Sequence, residues 1–367
     1  MITPTRACAT PRPSRNEHPL LRCERHRSRR EKACPPKEQR QLPPQPPQPP
    51  FVINQPPLNN QSPFIHEDFL GQEALQGEPK CTKQEFYRPR LRYCPFAQQL
   101  QWGAYLGHGM DGMVWEAHHI QPYAVKVFWE AERRDPERYY WAPEIECRNA
   151  ALLEKIQSSS ECVLPYSDPT TRDQAQANLL AFSDNPQHLQ YPQNSATAFT
   201  LMAKDRPRLR RCYGWTTVTS RGSIQAKIGS TVRTFVPATE YLAIVYEFVE
   251  ESILSRDRNM DQERCKVQTQ LDFLWRVGFY FCIPLRAEDW CAQILLDMSV
   301  LRSPWHRRHP KWRKRPKVED MEEVRTFETI RKDGSSYKTN RHPSLASQEL
   351  LGPLKEPRAH GLAPPTG

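Results

Sequence analysis

The run Leu106–Val114, with the sequence LGHGMDGMV, carries three glycines at i, i+2 and i+5 and narrows the possible folds more than any other feature. Glycines at this spacing let a backbone turn tightly beside a bound phosphate. A Walker loop is excluded, because Met113 and Val114 stand where Lys and Ser/Thr are required. A dinucleotide-binding turn should open a helix, yet Leu100–Leu106 and Met113–Ala117 on either side have strand-like compositions. The run therefore predicts a β-hairpin whose tip can lie over phosphates.

A single lysine interrupts the next apolar segment. Lys126 lies in Tyr123–Phe128 (YAVKVF), which predicts a short buried strand. A buried ammonium is costly unless an anion pairs with it. The following segment, Glu144–Ile156, has the periodicity of a helix, and it places Glu146, in preference to Glu144, on the face that can meet this lysine.

Glycine hairpin, strand lysine and helix glutamate, in this order, form the small-lobe signature of protein kinases. Two further strands are predicted at Arg211–Val218 and Tyr241–Val249. We therefore expect an α+β fold: a protein-kinase-like small lobe, made of an antiparallel sheet and one αC-type helix, with a reduced helical second lobe and disordered ends. The candidate nucleotide-binding residues are Gly107, Gly109, Gly112, Val114, Lys126 and Glu146.

The catalytic segment of a kinase is not intact. After a predicted helix at Val267–Val277, the residues Phe281-Cys282-Ile283 stand where H-R-D is required. No carboxylate occupies the catalytic position, and neither Phe nor Ile can accept a proton. Asp297, followed by Met298 and Ser299, resembles the D-F-G motif and is the candidate metal ligand. We expect no catalytic residue, although ATP and magnesium could still bind without turnover. A purely structural Lys126–Glu146 ion pair is the simpler alternative.

Composition divides the chain into three parts. The hydrophobic fraction is 38%, and 36 prolines are roughly double the usual share of about 5%. We expect a disordered Pro-rich and basic leader at residues 1–84, a folded domain at 85–301 with a polar insertion at 158–205, and a basic, largely disordered tail at 302–367.

The charge follows this division. Of the net +10, residues 1–50 and 302–367 each hold +7, and residues 51–301 hold −4. The cluster His306–Lys317 (HRRHPKWRKRPK) is typical of a nuclear-import signal or of a weak nucleic-acid contact, in which Trp312 could stack on a base.

The cysteine pattern and the hydropathy indicate in which cellular compartment the protein is expected. The eleven cysteines include no C-x-x-C pair, which favours reduced thiols in a nuclear or cytosolic protein over disulfides or a zinc site. No apolar run reaches 18 residues, and the N-terminus lacks the apolar core of a secretory signal, so no membrane association is expected.

The segments LGHGMDGMVWEA, YAVKVF, ECRNAALLEKI, RRCYGW, QLDFLWRVGF and LLDMS, within residues 98–300, resemble a fungal inner-kinetochore family. It is the Fta-two-type subunit of the Sim-four complex, whose members carry a protein-kinase-like domain. The resemblance implies a nuclear, centromere-associated and non-enzymatic scaffold whose partners are other kinetochore subunits.

Two other functions stay open. An atypical ATP-dependent kinase or phosphotransferase could recruit Glu288 or Asp289 as its carboxylate. A chromatin- or DNA-associated module could instead use the basic ends.

Overall fold

The computed structural model describes residues 49–54, 68–132, 140–184, 198–250, 260–281, 284–321, 328–330 and 336–338. The leader as far as residue 48 and most of the chain beyond residue 321 lie outside this part, so the disorder predicted for them stays a prediction.

The strands are β1 (Phe51–Ile53), β2 (Leu70–Ala74), β3 (Leu91–Tyr93), β4 (Gln101–His108), β5 (Gly112–His118), β6 (Pro122–Phe128), β7 (Glu161–Leu164), β8 (Phe199–Met202), β9 (Cys212–Ser220), β10 (Ile224–Ile228), β11 (Thr231–Phe235), β12 (Glu240–Glu247), β13 (Tyr280–Phe281), β14 (Trp290–Cys291), β15 (Ile294–Leu295), β16 (Leu301–Arg302), β17 (Glu328–Ile330) and β18 (Ser336–Lys338). The α-helices are α1 (Lys83–Tyr87), α2 (Ala142–Ser158), α3 (Arg172–Leu180) and α4 (Met260–Arg276).

The main sheet has the strand order β2-β3-β9-β12-β6-β5-β4, and β1 pairs with β9 beside this path. The five strands from β9 to β4 are antiparallel, as expected. The pairs β2–β3 and β3–β9 are parallel, so the sheet is mixed, and the prediction of a purely antiparallel sheet is wrong at this edge. The fold is α+β.

The central strand β6 is buried on both faces, and its residues alternate between two hydrophobic clusters. Ala124 and Phe128 pack in the cluster that contains α2. Val125 and Val127 pack in the other cluster, beneath Phe235 of the β10–β11 hairpin. Because successive side chains of a strand point to opposite faces, the side chain of Lys126 lies on the same face as Ala124 and Phe128.

The helix α2 contains the predicted helix Glu144–Ile156 and extends two residues beyond it at each end. Trp141 precedes it without a side-chain capping bond, and Pro143 lies in its first turn, where a missing N–H costs nothing. Leu152 and Ile156 are fully buried in the core between this helix and the sheet. This packing holds α2 against the face that carries Lys126.

The structure differs from the predicted division of the chain in the insertion, the leader and the tail. The predicted polar insertion contains β7, α3 and β8, and Leu164 and Leu179 are fully buried in the core of α2. The predicted leader extends too far, because Phe51 and Phe69 are 1% and 0% exposed. In both cases a few apolar residues inside a polar stretch supply enough burial to order the segment.

The predicted tail also begins too early. Residues 302–321 are described and packed, with Arg302 at 6% and Arg313 at 7% exposure. Arg313 donates to the carbonyl oxygens of Pro169 at 2.8 Å and of Trp275 and Phe279 at 2.6 Å each. Part of the basic cluster therefore stabilises the end of α4 and is not a solvated charge run.

The seven cysteines in the described part of the chain are free thiols. Within the same residues, no helix combines the length and the hydropathy that a membrane span needs.

Candidate functional site

Lys126 lies at the middle of the sheet, where β6 pairs with β5 at Val114 and with β12 at Ile244. Its Nζ donates to Glu146 Oε2 at 2.7 Å and to Asp297 Oδ1 at 3.1 Å. Burial disfavours the ammonium, but the charges of Asp297, Glu146 and Asp111 outweigh it and raise the pKa of Lys126 above its usual value. The sheet, the helix and the segment after β15 thus meet at one charged atom.

Glu146 is completely buried in the second turn of α2. Its second oxygen, Oε1, accepts a hydrogen bond from the hydroxyl of Tyr246 on β12 at 2.8 Å. Burial raises the pKa of Glu146 to about 7, against the attraction of the Lys126 ammonium and the hydrogen bonds it accepts. Both carboxylate oxygens are therefore used, and the helix is fixed relative to two strands.

Asp297 lies two residues after the end of β15, and its side chain is 30% exposed. Besides Lys126, its Oδ1 accepts the backbone N–H of Ser299 at 2.9 Å. Burial alone would raise the pKa of Asp297, but Lys126 and the Ser299 hydrogen bonds hold it below the usual value. An ionised, partly exposed carboxylate at this point could hold a divalent cation.

The glycine run forms the predicted hairpin. Gly107 pairs with Val114 across β4 and β5, and the N–H of Gly109 donates to the carbonyl of Gly112 at 2.9 Å across the turn. A Cβ at Gly112 would lie 2.3 Å from the carbonyl oxygen of Val127, so only glycine fits beside β6. At Gly109 nothing lies within 4 Å of such a Cβ, and this position leaves open space.

The tip of the hairpin is fastened to the rest of the site. Trp129 Nε1 donates to the Gly109 carbonyl at 2.9 Å. Asp111 Oδ2 accepts hydrogen bonds from Ser299 Oγ at 2.9 Å and from Tyr140 OH at 3.1 Å. We call these two bonds of Asp111 the hairpin latch. It brings a third carboxylate into the field of Lys126, so a nucleotide phosphate entering here would meet a net negative charge unless a divalent cation accompanied it.

Asp289 is a further titratable group near this site. It immediately precedes β14, and burial, followed by the charges of Asp297 and Glu288, raises its pKa to about 7. Glu288, the other carboxylate considered from the sequence, is more exposed and pairs with Arg286 at 3.4 Å. Of the two, Asp289 is the one with an environment suited to a metal ligand or a proton acceptor.

The residue at the start of the degenerate H-R-D slot has a structural role. Phe281 is buried and pairs with Leu301 between β13 and β16. Cys282 and Ile283 lie outside the described residues. From the sequence, Ile283 stands at the position of the catalytic aspartate, and its alkyl side chain cannot accept a proton.

The structure brings together the predicted residues Lys126, Glu146 and Asp297 and places the three glycines and Val114 beside them on the hairpin. Sequence reasoning did not single out Tyr246, Asp111, Ser299 or Tyr140. For Asp111 a signal existed, since it is the acidic residue at the tip of the glycine run. The others could not be found, because their contacts join segments far apart in the chain.

Comparison with known proteins gives no further assignment: no family model, curated protein or solved structure matches this chain.

Proposed function

We propose that the protein is a non-catalytic, protein-kinase-like scaffold that belongs to a kinetochore or centromere complex in the nucleus. The observation that carries the proposal is the contact of Lys126 with Glu146 and Asp297, in a chain whose sequence has Ile283 in place of the catalytic aspartate. A kinase needs the Lys–Glu–Asp arrangement to hold Mg-ATP, and it also needs a general base to accept the proton of the substrate hydroxyl.

The connectivity of the sheet supports the kinase-like part of the proposal. The first three strands of the antiparallel portion, β4, β5 and β6, are consecutive, α2 follows them in the chain, and β12 then inserts between β6 and β9. Further along, Asp297 lies two residues after the β14–β15 hairpin, and β16 returns to pair with β13. This order suits a small lobe followed by a shortened catalytic region.

The kinetochore part of the proposal rests on the resemblance of residues 98–300 to the fungal inner-kinetochore family. Cross-linking mass spectrometry on the protein purified at native expression level should recover other kinetochore subunits. Asp297→Asn, which alters a partly exposed group, should leave that set of partners unchanged. Recovery of a monomer without partners would contradict the proposal.

Nucleotide binding is tested separately, by thermal denaturation with and without Mg-ATP. If the pocket binds Mg-ATP, the nucleotide should raise the melting temperature of the wild type, and Asp297→Asn should abolish this shift because it removes a metal ligand. Asp111→Asn should enlarge the shift, because it removes one negative charge and weakens the hairpin latch. Equal shifts in all three proteins would show that ATP does not occupy this site.

An atypical phosphotransferase is the second candidate, favoured by Asp289 and its pKa of about 7 beside Asp297. It predicts release or transfer of the γ-phosphate by the wild type and at least a hundred-fold loss in Asp289→Asn. No turnover above that of Asp289→Asn is the result expected for a scaffold.

A further inference from the structure

A cavity of about 280 Å³ lies between the first turns of α2 and the segment that follows β16. Its lining includes Arg148, Arg302, Arg307 and Arg308, but only one carboxylate, that of Glu144. Arg148 Nε donates to Glu144 at 3.1 Å, so this carboxylate already has a cationic partner. The cavity therefore contains an excess of about three positive charges.

Among the residues that the structure describes, the remaining cations have no anionic partner. Arg302 is 6% exposed, and one of its nitrogens donates to the carbonyls of Ser299 and Leu301. Its guanidinium lies 5.1 Å from the ring centre of Tyr140. Within the described residues, neither Arg302 nor the exposed Arg307 and Arg308 form an ion pair. A buried cation without a counter-charge is costly, and an anionic ligand would remove that cost.

Neutral donors complete the lining. Trp305 Nε1 is buried and has no hydrogen-bond partner among the described residues. The ring of Trp305 packs against Tyr87, with ring centres 4.5 Å apart, and forms an aromatic wall. His306 lies between the arginines; burial, and then the charges of Arg302, Arg308 and Arg307, lower its pKa to about 4, so it stays neutral at physiological pH.

We propose that this cavity binds the phosphate group of a phosphoserine or phosphothreonine on a partner protein. A phosphate monoester carries nearly two negative charges and accepts paired hydrogen bonds from guanidinium groups, which matches the arginine excess better than one carboxylate does. The volume is slightly below the roughly 300 Å³ at which small-molecule sites begin, and it suits one modified side chain. The Tyr87–Trp305 wall can then contact the adjoining peptide.

The site is separate from Lys126 and its carboxylates, and it goes beyond the proposed scaffold by specifying the chemistry of a partner. It requires neither ATP binding nor turnover.

The test uses the full-length chain and a fluorescent peptide library centred on phosphoserine, with degenerate flanking residues. Matched libraries centred on serine and on glutamate are measured by the same polarisation assay. We expect the phosphoserine library to bind about ten-fold tighter than either. Inorganic phosphate should compete with it at higher concentration.

Two double variants locate the site. Arg307→Gln with Arg308→Gln should weaken phosphopeptide binding about ten-fold. Lys311→Gln with Lys314→Gln removes the same charge from exposed neighbours that do not line the cavity, and it should leave the affinity within about two-fold. Circular dichroism confirms that each variant is folded.

Several outcomes would overturn the proposal. An equal loss of phosphopeptide affinity in both double variants would show that binding depends on the overall positive charge of the segment and not on this cavity. Equal binding of the glutamate and phosphoserine libraries would indicate an acidic-peptide surface. Binding of inorganic phosphate when none of the peptide libraries binds, or tighter binding of a DNA duplex than of the phosphopeptides, would contradict a phosphoprotein partner.

Discussion

The charged state of Lys126 depends strongly on the carboxylates around it. One ammonium faces Glu146 and Asp297 directly and is also influenced by Asp111. Removing one member of a buried charge cluster leaves the others uncompensated, whereas the complete cluster contributes little net stability. The cluster therefore indicates that these groups must be held in this geometry, and it is weak evidence that they increase the free energy of unfolding.

Asp289 provides a pH test at this scale. Its pKa is about 7 in the folded protein against an ordinary 3.8, so the folded state holds the proton more tightly than the unfolded chain does. Its contribution to stability is present below about pH 4 and is lost as the pH rises through 7. The free-energy advantage of Asp289→Asn over the wild type should grow by about 1–2 kcal/mol between pH 5 and 8, after allowance for partial exposure.

Urea denaturation at intervals between these pH values measures that difference. Asp205→Asn, at an exposed position, is the matched control for the loss of one carboxylate. Parallel curves for Asp289→Asn and the wild type would contradict the assigned pKa.

At the scale of elements, the β4–β5 hairpin, β6 and α2 could be predicted from the sequence because their signals are local. Glycine spacing, a lysine in an apolar strand and a helical period each lie within about a dozen residues. The hairpin latch could not be predicted, since it joins Asp111 to Ser299 across 188 positions. The parallel pairing of β3 with β9 likewise depends on a long-range contact and has no local pattern.

The hairpin allows a matched pair of glycine substitutions. Gly112→Ala would place a Cβ 2.3 Å from the Val127 carbonyl oxygen, which must force β5 away from β6. We expect a loss of about 2–3 kcal/mol in the free energy of unfolding. Gly109→Ala meets nothing within 4 Å and should change stability by less than about 0.5 kcal/mol. Chemical denaturation of the two variants checks this, and similar losses would show that the hairpin does not press on β6.

At the scale of the molecule, the described domain is larger than the sequence predicted. Composition averages treat residues 68–84 and 302–321 as tails, because charged and polar residues outnumber apolar ones there. The structure buries a few residues from each of them, among them Phe69 and Arg313. Such anchoring residues cannot be told from solvated ones without knowing which surface they reach.

Arg313 tests whether the basic segment is part of the domain. Its guanidinium donates to three backbone carbonyl oxygens, one of them in the last turn of α4 and one just beyond the end of that helix. Arg313→Ala should therefore lower the free energy of unfolding by about 2–4 kcal/mol. Lys314→Ala, one residue on and exposed, should cost less than about 0.5 kcal/mol. Equal melting temperatures for the two variants would show that this segment does not contribute to the stability of the domain.

The mixed sheet has a consequence for self-association. A long, straight strand at the edge of a sheet invites a strand from another molecule. Here the outermost strand β2 has only five residues and an irregular register, and β4, at the opposite edge, shifts register twice along its pairing with β5. Within the described part of the chain, neither of these two edges offers an even row of backbone groups to a second chain. We therefore expect any assembly of this domain through these edges to depend on side-chain contacts, which would make it selective.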